Sequence, residues 1–177
     1  MKKLLAISML TSASMMLTAC GSGGAESKEV SLPIMNPQAA EIGTVTLTQL
    51  NRGGVEVKID VSGLTPGTHA MHFHEFGKCD APDYKSAGGH FNPDGVAHGE
   101  VDDGPHPGDM MNVGIQPDGT GRFVVKNMKV NLRAGSLPAL MDADGTALII
   151  HAGEDDYESQ PSGAAGPRVA CAVIPAG

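Results

Sequence analysis

Val55-Glu56-Val57-Lys58-Ile59-Asp60-Val61, preceded by Thr44-Val45-Thr46-Leu47-Thr48, decides the class of fold. Apolar and polar residues alternate through both stretches, the pattern of strands with one buried face and one wet face. Between them stands Asn51-Arg52-Gly53-Gly54, whose Asn and Gly accept the positive φ that a tight hairpin turn demands. Working outward, residues 69–75, 122–132, 146–152 and 168–174 read as further strands, and Gln116-Pro117-Asp118-Gly119 as a turn. No stretch beyond the N-terminal segment shows a helical period, and there is no internal repeat. The sequence therefore predicts an all-β protein, and 177 residues suit one domain better than two. With no Trp, two Tyr and four Phe, its core has to be built from Val, Ile, Leu, Met and Ala.

The N-terminus reads as an address. Lys2 and Lys3 precede an apolar run, residues 4–17, that is shorter than the ~20 residues a membrane-spanning helix needs, so it reads as a secretory signal. Leu17-Thr18-Ala19-Cys20-Gly21-Ser22 resembles the lipobox of bacterial lipoproteins, in which the signal is cut before the Cys and the thiol is acylated. On this reading residues 1–19 are a signal peptide, 20–29 a flexible tether from lipidated Cys20, and 30–177 the folded domain, lipid-anchored outside the cytoplasm. Removing two Lys with the signal leaves ten cations against twenty acids, so the net charge of −8 becomes −10. Such a body repels nucleic acid at long range. Export also permits a disulfide, and Cys79 and Cys171 are the one pair available; the alternative is two free buried thiols.

All seven histidines fall between His69 and His151. His72 and His74 are two apart in a strand, so their rings leave the same face and can converge on one ion. His90, His98, His106 and Asp109 lie in a segment, residues 76–109, that is too long and too rich in Gly, Pro and Asp to be a mere connector. His151 closes the apolar strand Ala147-Leu148-Ile149-Ile150. One such His is an ordinary surface or hydrogen-bonded residue; the whole set at this spacing points to metal.

His69-Ala70-Met71-His72-Phe73-His74-Glu75-Phe76-Gly77, Ser86-Ala87-Gly88-Gly89-His90-Phe91-Asn92-Pro93, His106-Pro107-Gly108-Asp109 and Gly166-Pro167-Arg168-Val169-Ala170-Cys171 together resemble the copper/zinc superoxide dismutases. The resemblance implies an eight-stranded Greek-key barrel, or sandwich, with two long active-site loops. It implies copper held by His72, His74, His90 and His151, and zinc held by His90, His98, His106 and Asp109, with His90 bridging. The implied reaction is dismutation of superoxide to oxygen and hydrogen peroxide by a redox-cycling copper, as an extracytoplasmic defence. Arg168 would guide the anion, His90 would carry a proton, and Asp155 would orient one histidine of each site, while His69 is structural. Four imidazoles suit copper, and three imidazoles with a carboxylate give zinc a closed tetrahedral site.

The chain also departs from the family pattern. The loop from His98 to His106 is one residue shorter than in the animal enzymes, Cys79 follows close on Gly77, Ala164 replaces an Asn, and residues 152–167 contain no Lys. The competing reading is a non-catalytic, surface-anchored copper- and zinc-binding protein; it leaves Arg168 beside the copper set without a purpose.

Overall fold

The computed structural model describes residues 29–177; the signal peptide, Cys20 and the tether before Glu29 lie outside the described residues. Nine strands follow in order: β1 (Glu29–Met35), β2 (Glu41–Gln49), β3 (Val55–Val61), β4 (Gly67–His69), β5 (Met71–His74), β6 (Val113–Ile115), β7 (Gly121–Asn127), β8 (Thr146–His151) and β9 (Arg168–Ile174). A single 3₁₀ turn, Lys85–Ala87, is the helical content among the described residues. Seven strands form one antiparallel sheet in the order β5-β8-β9-β1-β2-β3-β7, and β4 pairs with β6 in a second.

The hairpin read from the sequence is β2–β3, with Val45 opposite Ile59 and Leu47 opposite Val57, all buried. β9 returns to lie beside β1 after β2, β3 and β7 have added on its other side, a Greek-key arrangement. Because β4 runs on into β5, and β6 into β7 through the turn at Gln116–Gly119, the small sheet spans the gap between the two edges of the large one. Inward side chains of both sheets, among them Ile34, Val57, Phe73, Ile115, Leu148 and Ala172, fill a single core.

The count of nine differs from the expected eight at one residue. Ala70 leaves the ladder, its N–H bonding Gly153 O at 2.8 Å and its carbonyl accepting from His151 N at 2.9 Å. That break divides one extended run into β4 and β5 and hands it from one sheet to the other. The strand expected over 122–132 ends at Asn127, whose side chain accepts from Lys129 N at 2.8 Å and turns the chain. β1 and β6 went unforeseen as strands.

Two features of the fold place the site. The free edge of β5 is satisfied by the long loop: Phe73 N donates to Gly108 O at 2.9 Å, and Phe91 N donates to Phe73 O at 2.8 Å. Isolated bridges pair His72 with Asp109 and His74 with His90. On the other side, a disulfide joins Cys79 of the loop to Cys171 of β9 with a Cα separation of 5.9 Å, closing off the free-thiol alternative. It packs with Tyr84, Ala87, Ala147 and Ile149 in a small apolar cluster of its own.

Candidate metal centre

Strands β5 and β8 carry His72, His74 and His151, and the loop docked on β5 brings His90 beside them. These four form one cluster whose candidate ligand atoms lie within 4.8 Å of one another. His90, His98, His106 and Asp109 form a second by the same measure, and His90 belongs to both. All six histidines are buried, with ring centroids of His72 and His90 only 4.0 Å apart.

Four of the rings are held by one nitrogen, which leaves the other for a ligand. His72 Nε2 meets Asp155 Oδ2 at 2.7 Å, His74 Nδ1 donates to Gly88 O at 3.1 Å, and His151 Nδ1 donates to Gly166 O at 3.1 Å. His98 Nε2 meets Asp155 Oδ1 at 3.0 Å, so Asp155 grips one histidine of each cluster. The remaining nitrogens include His72 Nδ1 and His90 Nε2, buried without a partner, and His98 Nδ1 and His106 Nδ1, buried without a well-aligned hydrogen bond and facing Asp109 oxygens at 3.0 and 3.2 Å. Buried polar atoms of native proteins are nearly always paired, so imidazole nitrogens and a carboxylate converging on two clusters that share His90 are the chemistry of cation ligands. The residues present fit two metal ions.

The electrostatics agree. Burial pushes His72, His74 and His151 down from 6.5 to about 4, about 2 and about 3, reinforced by neighbouring rings, so all three are neutral and able to act as ligands. His98 behaves oppositely: burial lowers it, but Asp109 and Asp155 outweigh burial and lift it to about 9. Asp155 is itself held at about 2, because the bonds from His72 and His98 overcome the upward push of burial. Asp109 is held well below the usual carboxylate range: burial pushes it up, and the histidines with Gly99 N–H, at 3.0 Å, outweigh that.

Arg168 opens β9 opposite His151, and its guanidinium donates to Tyr84 O at 2.7 Å and Gly88 O at 2.6 Å. Gly88 O thus serves both Arg168 and His74, which fixes the cation beside the first cluster. His69 stands apart, its ring spanning His151 O at 2.6 Å and Thr65 O at 2.8 Å, consistent with a structural part.

Residues 41–174 match the family described as copper/zinc superoxide dismutase (SODC). The chain is a member of that family. It is 47% identical over 143 residues, 80% of this chain and 84% of the relative, to Superoxide dismutase [Cu-Zn] 1 of Aquifex aeolicus (strain VF5). To the Superoxide dismutase [Cu-Zn] of Caulobacter vibrioides it is 44% identical over 137 residues, 76% of this chain and 78% of that one. Among solved structures, a SOD-like protein from Bacillus subtilis superposes with a TM-score of 0.78 at 33% identity, covering 81% of this chain and 97% of that chain. The Cu/Zn superoxide dismutase from Brucella abortus gives 0.66 at 28% identity, covering 83% and 99%. The family's barrel, its copper and zinc and the Cys79–Cys171 disulfide therefore belong to this chain.

Several supporting groups are invisible to sequence reading. The carbonyls of Tyr84, Gly88 and Gly166 are backbone, and any residue type supplies one. Asn112 clamps Asp155 through both Asp155 N and Asp155 O, each at 2.9 Å, from an unremarkable Met-Met-Asn-Val context. Gly163 has a signal that only structure explains: a Cβ there would overlap the Asp155 carboxylate and stand 2.7 Å from His98 Nε2.

Proposed function

We propose that this superoxide dismutase works outside the cytoplasm, anchored to a membrane by lipidated Cys20 and bearing the substrate anion to copper past Arg168. Copper is assigned to His72 Nδ1 with the free ring nitrogens of His74, His90 and His151, and zinc to His90, His98, His106 and Asp109. When bound, copper supplies the one-electron chemistry that converts superoxide into oxygen and hydrogen peroxide.

The chain's own residues prepare that chemistry. The neutral, buried imidazoles offer lone pairs without first losing protons, whereas His98 would have to release its proton to hold zinc. Asp155 locks His72 and His98 by their Nε2 atoms, so both present Nδ1, the kind of outer support that fixes a ligand's tautomer. His90 belongs to both clusters and would be the group that supplies a proton to the product. Arg168, forked between two carbonyls, keeps outward N–H donors for a small anion.

The observation that carries this reading is the set of four buried ring nitrogens without a well-aligned hydrogen bond, divided between two clusters that share His90. Metal analysis of the purified protein, loaded with both ions, should give one copper and one zinc per chain together with superoxide consumption. His106→Ala should lower zinc chiefly, and His90→Ala should disturb both. One metal per chain would refute the two-site assignment, and a fully loaded protein that leaves superoxide untouched would make it a metal-binding protein. For the anchor, Cys20→Ser should release the protein from membranes; wild-type protein of unacylated mass would refute the lipid.

A further inference from the structure

An acidic protein concentrates three unpaired cations at one end of its barrel, and it is the end from which the tether leaves. The register shows this. Glu29, the first residue of β1, pairs with Thr48; Gln49 of β2 pairs with Val55 of β3, and Val55 with Asn127 of β7. These residues form one row across four adjacent strands, so Asn127 lies about 14 Å from Glu29 at the ~4.8 Å strand spacing.

The loops beyond that row carry Arg52, in the β2–β3 turn, and Lys129 and Arg133, after β7, all exposed. The two loops are bolted together: Asn131 Oδ1 accepts from Gln49 Nε2 at 3.1 Å and from Gly54 N at 3.3 Å, and Leu132 N donates to Gln49 Oε1 at 2.7 Å. Arg52 and Arg133 line the same cleft. Residues 42–55 and 119–141 contain no Asp or Glu, although the whole chain has 20. Among the described residues Lys85, Arg122 and Lys126 are paired with carboxylates, whereas Arg52, Lys129 and Arg133 are not. Met128, 55% exposed, stands among them as an apolar side chain able to enter an interface.

We propose that this end of the barrel is a docking face for anionic phospholipid headgroups, on which the domain rests when anchored. The idea builds on the lipid anchor proposed above. Nine residues, Cys20 to Lys28, separate the acylated thiol from β1 and span at most about 30 Å fully extended, so this end never leaves the neighbourhood of the membrane. Each cation near an anionic leaflet favours the docked state roughly fivefold, and three together on the order of a hundredfold. The chain's net negative charge opposes approach, but its acids lie outside both loops and screening confines their effect to about 8 Å. Repulsion of the acidic remainder and attraction of this face then select the same orientation.

The test uses the mature chain from Cys20 to Gly177, coupled through the Cys20 thiol to maleimide-lipid in vesicles, which supplies an anchor whether or not the cell does. Amide hydrogen exchange at residues 51–53 and 133–136 should slow at least about fivefold on vesicles with about 40% phosphatidylglycerol, compared with pure phosphatidylcholine. The slowing should vanish in about 0.5 M salt and in the Arg52→Gln/Lys129→Gln/Arg133→Gln variant. Equal exchange on both vesicles, or slowing that survives the triple substitution, overturns the docking face. The mass of the natively exported chain tests acylation separately, so an unacylated chain sinks the anchor and leaves the vesicle result standing.

Discussion

His98 lies between two carboxylates, its Nδ1 3.0 Å from Asp109 Oδ2 and its Nε2 3.0 Å from Asp155 Oδ1, and its raised pKa makes it the group that couples metal, proton and stability. In the metal-free protein the folded state keeps its proton up to about 9, while the unfolded chain releases it near 6.5. Its stabilisation is therefore complete below 6.5 and is lost as pH rises through 9. His72, His74 and His151 act with the opposite sign: below 6.5 the unfolded chain takes up protons that the folded chain refuses down to about 4, about 2 and about 3. Stability then falls as pH drops from 6.5. The apoprotein should be most stable near pH 6.5 by urea midpoint, and His98→Gln should flatten the alkaline side. Zinc should flatten it as well, by replacing the proton. A wild-type apoprotein whose midpoint climbs steadily from pH 6.5 to 9 would contradict this assignment. The two candidate ligand clusters were legible because imidazole and carboxylate declare their chemistry by residue type. The groups that aim them were not, because Gly88 O and Gly166 O are main chain and Asn112 lies outside every motif.

Strand β9 joins the core, the disulfide and the proposed anion guide within five residues: Arg168 at its start, Cys171 bonded to Cys79, and Ala170 and Ala172 in the core. The disulfide closes a loop that contains Tyr84 and Gly88, the two carbonyls that grip Arg168. Tyr84 is further pinned by its hydroxyl, which donates to Met35 O on β1 at 3.0 Å. In the chain-entropy model a bridge of this span contributes about 4 to 5 kcal/mol, and native bridges of small exported domains about 2 to 5. Cys79→Ser/Cys171→Ser should accordingly lose about 2 to 5 kcal/mol in urea unfolding, and azide should bind its copper more weakly because Arg168 loses its fixed carbonyls. Unchanged stability and unchanged azide affinity would show that the apolar cluster holds the loop unaided. At this scale the hairpin β2–β3 and the strand β9 stood in the sequence as they stand in the fold, since each alternates or runs apolar between clear turn residues. β1 did not, because Pro33 sits in its middle and proline lacks the ladder donor. The fold tolerates it there because β1 meets β9 only through Met35 and Cys171. β7 stopped short of its apolar pattern, since Val130 and Leu132 reach the same core from the loop after the strand.

Over the whole molecule, charge sets a problem that a local arrangement has to solve. A body of net charge −8, or −10 once the proposed signal is removed, slows an incoming superoxide, yet a positive potential focused at one mouth raises on-rates against an adverse total. Arg168 is half-buried, and although burial pulls its pKa down the guanidinium stays charged, so its field acts through a medium less polarisable than water. At an effective dielectric of ~20 and ~5 Å from the anion, that charge is worth on the order of 3 kcal/mol, and less where the mouth admits water. Residues 152–167, which border the same site, supply no lysine to share the task. Arg168→Gln should keep both metals and lose about tenfold or more in rate, equivalent to ~1.4 kcal/mol of barrier. Arg168→Glu should be slower still, and Arg168→Lys should recover part of the loss, because an ammonium restores charge without the fork that Tyr84 O and Gly88 O hold. Salt separates steering from mere structure: exposed charges are screened within about 8 Å at physiological ionic strength, so the wild-type rate should fall as salt rises. In the Gln variant the fall should flatten, since the attraction being screened is gone. A metal-replete Gln variant with wild-type rate and wild-type salt dependence would move the guiding charge to Lys78, beside Cys79, or to Lys85, beside Tyr84.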